Sequence, residues 1–161
     1  MATKASYGVG VSRAPDIILQ DQKSTTTNGG TFTTGTQTRI LNTEVLDVNG
    51  DCSLASNQFT LTAGDYYLKA SAPAYKTDRH KLILYNVTGS VAIDTGTSER
   101  AGSSGDASTR AIICTKFTVA ASQALELRHY AQTTSTTLGF GLATSDGSTE
   151  IYAQVEIWRL S

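Results

Sequence analysis

The side chains able to carry chemistry are few and widely spaced. His80 and His129 each follow an arginine, Arg79 and Arg128, on strand-like segments, so the two imidazoles can meet in space. Two imidazoles with no committed carboxylate partner make a thin metal site, and a packed structural pair is the simpler reading. Glu126 with Glu156 or Glu99 is the only carboxylate pairing on offer for acid/base work across a cleft. Asp16, Asp47, Asp51, Asp65 and Asp106 mostly lie beside Gly or Asn, where turn-forming hydrogen bonds account for them. A calcium ion held in such a loop is the open alternative. "GVGV" at 8–11 lacks the Lys-Ser/Thr ending of a phosphate loop, and neither G-x-S-x-G nor H-E-x-x-H occurs. Cys52 and Cys114 are far apart with no C-x-x-C, which suits two buried or half-buried free thiols. The expectation is a chain that is not an enzyme and carries no cofactor and no metal.

Such groups need a frame, and 161 residues suit one domain with one core. The net charge is -1, with acids and bases interspersed from Lys4 to Arg159. That excludes a phosphate-neutralising stripe and a polybasic membrane anchor, so neither nucleic acid nor membrane is an expected partner. The N-terminal stretch "MATKASYGVGVSRAPDIILQ" has only Ile17 to Leu19 as an apolar run, too short for a secretory signal, and synthesis in the cytosol is expected. In that setting "NVT" at Asn86 to Thr88 carries no glycosylation meaning.

The frame reads as all β. Strand-like segments run over residues 16–20, 38–46, 58–62, 66–72, 80–87, 91–95, 109–119, 124–132, 136–143 and 150–160. In "EIYAQVEIWRL", Ile151, Ala153, Val155 and Ile157 alternate with Tyr152, Gln154, Glu156 and Trp158. "ALELRHY" repeats this, with Leu125, Leu127 and His129 on the core side. "VAASQALEL" reads as a strand end, a turn at Ser122-Gln123 and a new strand. The Thr/Ser tracts at 24–38 and 100–109 are polar connections, the first an extended loop or edge strand. Two packed antiparallel sheets follow, a sandwich or jelly roll. Tyr66, Tyr67, Tyr75, Tyr85, Tyr130 and Tyr152 sit on these strands, and tyrosine suits half-buried positions and subunit interfaces.

"FTLTAGDYYLKASAP", residues 59–73, reads as a strand-turn-strand hairpin. Its Phe59, Gly64 and Tyr66-Tyr67 resemble the signature of the tumour-necrosis-factor-like jelly roll, shared with the globular head of complement's first component; Ala63 stands where proline is commoner. "SAPAYKTDRHKLILYN" (71–86), "GTSE" (96–99), "LGFGLATS" (138–145) and "EIYAQVEIW" (150–158) resemble such domains in bacteriophage virion proteins. The resemblance covers about residues 16–160. It implies a two-sheet antiparallel jelly-roll sandwich that assembles as a homotrimer, with interface strands carrying Tyr67, His129, Phe140 and Trp158.

The expected organisation is therefore an N-terminal arm, residues 1–15, ended by Pro15, and a jelly-roll domain, residues 16–161. With no fibre shaft before the domain, the expected role is a capsid decoration (cement) protein in the virion, assembled in the host cytoplasm. Its arm residues Tyr7, Val9, Val11 and Arg13 alternate so as to add a strand to the major capsid protein. The alternative is the receptor-binding tip of a tail fibre or spike, recognising a host surface glycan or protein through loops 100–109 and 133–137.

Overall fold

The computed structural model describes residues 14–161. They form β1 (Ile17–Lys23), β2 (Gly35–Thr38), β3 (Thr43–Asp47), β4 (Cys52–Ala55), β5 (Gln58–Leu61), β6 (Gly64–Tyr75), β7 (Asp78–Asn86), β8 (Val91–Ala101), β9 (Ser108–Val119), β10 (Gln123–Ala131) and β11 (Glu150–Arg159), with no helix among the described residues. A five-stranded sheet runs β3-β1-β11-β6-β9, and a six-stranded sheet runs β4-β5-β10-β7-β8 with β2 beside β10. Neighbouring strands are antiparallel throughout. The chain changes sheet at most connections, which makes the sandwich a jelly roll.

Alternation builds the core. Leu19, Leu68, Ile113 and Val155 from one sheet meet Phe59, Leu82, Leu84 and Leu127 from the other, all buried. Each fully buried aliphatic or aromatic side chain contributes roughly 1.5–3 kcal/mol relative to exposure. A second, smaller cluster of Phe32, Ala74, Ala101, Ala131 and Phe140 closes one end of the sandwich.

Residues 59–73 are not a hairpin. β5 pairs with β4 and β10, whereas β6 pairs with β11 and β9, so Thr62-Ala63 is a corner between sheets. Thr62 N–H donates to the Asp51 carbonyl (3.0 Å) and the Tyr66 hydroxyl to the Thr62 carbonyl (3.1 Å). These bonds fix the corner and turn Tyr66 into the core while Tyr67 faces out.

The expected strand 38–46 is two, β2 and β3, interrupted at 39–42. There the buried Arg39 bonds to Leu127 by its backbone, and Leu41 enters the core. β4 forms between the expected strands 38–46 and 58–62, where no strand was expected. In β11, Gln154 opposes Gln20 but Ile151 opposes Gln22, so an extra residue sits on β11. Tyr152 and Ala153 are consequently both buried, and Ile151, expected inside, is 45% exposed.

No strand forms at 136–143. The alternation of Leu138, Phe140 and Leu142 imitates one, but Thr137 and Gly141 take positive φ and break the ladder. The segment bonds instead to loop 28–32, through Gly29 N–H to the Gly141 carbonyl (2.9 Å) and Phe140 N–H to the Gly30 carbonyl (3.0 Å). A Cβ at Gly139 would lie 2.5 Å from Phe32 Cβ and 2.6 Å from the Ser135 carbonyl oxygen. Gly139→Ala is expected to cost roughly 1–3 kcal/mol in urea unfolding. Gly102→Ala, whose Cβ has room and no positive φ, is expected to stay within about 0.5 kcal/mol. Equal midpoints for the two variants would remove the packing argument.

Candidate functional site

The chemistry-bearing residues come together less than acid/base catalysis requires. Glu126 on β10 and Glu156 on β11 lie in different sheets and alternate with core residues, so they point away from the core on opposite sides, Glu126 being covered to 4% exposure. Glu126 accepts hydrogen bonds from Arg128 (2.5 Å) and Gln58 (3.3 Å), and Glu156 from Gln154 (2.5 Å). Glu99 on β8 sits opposite His80. Among the described residues no group of three or more His, Cys, Asp or Glu is arranged to hold a metal ion.

The turn aspartates do local work. Asp47 Oδ1 accepts from the N–H groups of Asn49, Gly50 and Asp51, and its Oδ2 from Cys52. Asp51 pairs with Arg159, and the Asp65 carboxylate accepts from Thr118 (2.5 Å). Cys52 and Cys114 are free. Cys52 is half-buried, and burial together with Glu44, Asp47 and Asp51 pushes its thiol up to about 12, which makes it a poor nucleophile. Cys114 departs from expectation: it is exposed, because it points away from the core on β9.

His80 and His129 do meet, with His80 Nδ1 and His129 Nε2 sharing a hydrogen bond of 3.0 Å. His80 Nε2 reaches the Thr109 hydroxyl at 2.7 Å, while His129 Nδ1 has no hydrogen-bond partner among the described residues. Burial, then the Arg39 charge, holds His129 near 2; burial holds His80 near 4 despite Glu99. Both imidazoles are neutral at pH 7, and the pair belongs to a buried column. Phe32 lies 4.8 Å from His129 and 4.5 Å from Phe140, and the Arg39 guanidinium stands 4.1 Å from the Phe140 ring centre.

That column corrects two expected trimer contacts. His129 is 0% and Phe140 6% exposed, both enclosed by their own chain, so neither presents a face to a sister subunit. Tyr67 and Trp158 do lie together on the outer face of the five-stranded sheet, opposite each other on β6 and β11 with ring centres 5.6 Å apart. The arm residues Tyr7, Val9, Val11 and Arg13 lie outside the described residues.

This outer face combines exposed apolar side chains with ordered polar ones. Tyr67 (37% exposed) and Ile112 (40%) stand on it. The ladder aligns Ile18, Glu156, Lys69 and Cys114 in one row and Gln20, Gln154, Ser71 and Ile112 in the next. Across these rows a relay runs from Gln22 to Gln20 (2.7 Å), Gln20 to Gln154 (2.7 Å) and Gln154 to Glu156 (2.5 Å). Amides so fixed lose little entropy on meeting a partner surface, and the flanking aromatics supply apolar area. Sequence reading missed this relay, although its signal was available: Gln20 and Gln22, and Gln154 and Glu156, are spaced by two on strands.

No family model matches the chain, and no curated protein matches it. Solved structures do. The globular domain of a zebrafish complement 1qA protein is 16% identical over 91% of this chain and 98% of that one, with a TM-score of 0.56. Murine APRIL at pH 5.0 is 9% identical over 89% and 99%, with a TM-score of 0.58. These likenesses and the two antiparallel sheets agree on one architecture: the chain has the jelly-roll fold shared by complement C1q heads and tumour-necrosis-factor-like domains.

Proposed function

We propose that this chain is a non-enzymatic structural module that assembles as a homotrimer through the outer face of β3-β1-β11-β6-β9, and that it serves as a bacteriophage capsid decoration protein. The observation that carries the trimer is that face itself, with Tyr67, Trp158 and Ile112 around an ordered amide relay. Domains of this jelly-roll type are typically homotrimers, which agrees. The virion setting rests on the sequence resemblance of residues 71–86, 96–99, 138–145 and 150–158. In that setting the arm, residues 1–15, grips the major capsid protein, and binding energy spread over subunit boundaries opposes their separation.

Two measurements test the two halves separately. Light scattering of the purified chain is expected to give a trimer, and Tyr67→Asp with Ile112→Asp a folded monomer, since each buries a charge only if the face is an interface. A wild-type monomer would end the trimer reading. Counting this protein against the major capsid protein in purified particles is expected to give a near-stoichiometric ratio. A few trimers per particle would instead support the second reading, a receptor-binding fibre tip. What favours that second reading is the groove on the opposite sheet, which such a trimer leaves in solvent.

A further inference from the structure

The outer face of the six-stranded sheet carries a groove of about 630 Å³ lined by Thr36, Arg79, Lys81, Ser98, Arg100 and Tyr130, together with one carboxylate, Glu99, which sits opposite His80 rather than opposite either Arg79 or Lys81. Strand register builds it. Thr36 on β2 opposes Tyr130 on β10, Tyr130 opposes Lys81 on β7, and Lys81 opposes Ser98 on β8. One row across four strands thus reads hydroxyl, aromatic, cation, hydroxyl. One step along the same face, Arg79 directly opposes Arg100. Arg79 and Lys81 stand roughly 7 Å apart on one strand.

Like charges set opposite each other destabilise a sheet, so this pairing is not what stability alone selects. Asp78 relieves Arg100, at 2.7 Å, but Arg79 and Lys81 have no carboxylate partner among the described residues. The concentration is local, because the whole chain has a net charge of -1. Tyr130 is 40% exposed and stands directly opposite Lys81 in the row.

We propose that this groove binds an acidic saccharide, a sugar unit bearing a carboxylate or a sulfate ester. The Arg79 fork suits a planar carboxylate or a sulfate held by paired N–H donors, with Lys81 adding a point charge. Tyr130 offers the flat apolar surface on which a pyranose ring rests, and the Thr36 and Ser98 hydroxyls flank it as donors or acceptors for ring hydroxyls. The volume lies within the range of small-molecule sites. A nucleic acid would require a longer basic track, and here the cations stop at one groove. The site is formed within a single chain and does not depend on the trimer or the virion setting.

The test is calorimetric titration of the full chain at low ionic strength with trigalacturonate, a heparin tetrasaccharide, neutral maltotriose, inorganic sulfate and a ten-residue oligothymidylate. One or both acidic sugars are expected to bind, their ratio distinguishing carboxylate from sulfate ester, while maltotriose, sulfate and the oligonucleotide bind at least about tenfold more weakly. Arg79→Ser with Lys81→Ser is expected to weaken the acidic sugar at least about tenfold. Tyr130→Ala weakens it and Tyr130→Phe does not. Arg79 and Tyr130 are exposed, and amide chemical-shift mapping on the unaltered chain gives an answer independent of any variant. No binding of either acidic sugar, shifts mapping elsewhere, unchanged affinity in the double variant, or equal affinity for maltotriose, sulfate or oligothymidylate would each overturn the proposal.

Discussion

Asp21→Ala is expected to lower stability by roughly 3–5 kcal/mol, the usual cost of leaving one member of a buried ion pair unmatched. Asp21 and Arg39 are both 0% exposed, and Arg39 Nη2 lies 3.8 Å from Asp21 Oδ2. Arg39 donates to the carbonyls of Pro73 (3.4 Å) and Phe140 (3.2 Å), but its Nε and both Asp21 oxygens have no hydrogen-bond partner among the described residues. Burial pulls Arg39 down to about 9 and pushes the Asp21 carboxyl upward, each opposed by the partner's charge. The pair is therefore costly to bury and costlier to break. Lys23 also lies 3.8 Å from Asp21 and keeps some compensation when Arg39 is removed, so Arg39→Met is expected to cost less than Asp21→Ala. Asp21→Leu together with Arg39→Met is expected to recover most of the loss, because no buried charge remains. At about 2–4 °C per kcal/mol, Asp21→Ala should lower the thermal midpoint by roughly 6–20 °C. Urea unfolding of the two singles and the double decides it. A double-variant loss equal to the sum of the singles would show that the two groups do not interact.

The physics of this pair also marks how far sequence reading reaches. Period-two alternation was enough for β10 and most of β11, where Leu125, Leu127, Val155 and Ile157 are all buried as expected. It failed where backbone geometry overrides pattern. The extra residue at Tyr152-Ala153 reverses the faces, and positive φ at Thr137 and Gly141 turns an apparent strand into a cap. Phe140 was assigned to a subunit interface on that strand, and the cap instead folds it against Phe32. Alternation put His129 on the core side, where it lies at 0% exposure, whereas the resemblance alone assigned it to a subunit interface. Arg39 carries no local signal of burial, since a cation between Thr38 and Ile40 reads as an ordinary outward strand position. Its site exists only once residues from loop 28–32, β6 and the 136–141 turn are assembled. The groove depends likewise on register: Arg79 and Lys81 share a face by alternation, but nothing local says that Arg100 and Tyr130 are their neighbours.

The histidine pair makes a second large effect accessible, this time by pH. In the unfolded chain both imidazoles titrate near about 6.5. Folded, His80 is held near 4 and His129 near 2, burial being the main cause for each. Between pH 6.5 and 4 the unfolded state therefore takes up protons that the folded state refuses, so stability is complete above about pH 6.5 and falls as pH drops. Each imidazole should remove about 3 kcal/mol by pH 4. The groups around the pair support the sign: Arg39 repels a charge on either ring, Thr109 is neutral, and only Glu99 opposes, by favouring charge on His80. Asp21 acts in the opposite sense, because a carboxyl whose pKa is raised by folding adds stability as it protonates. Its contribution flattens the lower end of the curve without reversing the upper. Urea midpoints measured from pH 7.5 to 4 are expected to fall steadily below 6.5, and His80→Asn with His129→Asn to fall less steeply from a lower starting point. Imidazole nitrogen shifts in the folded chain should remain those of neutral rings at pH 5. A stability curve flat down to pH 4 would mean that the rings charge freely in place, and the closed column around Arg39, Phe140 and Phe32 would have to open to let them.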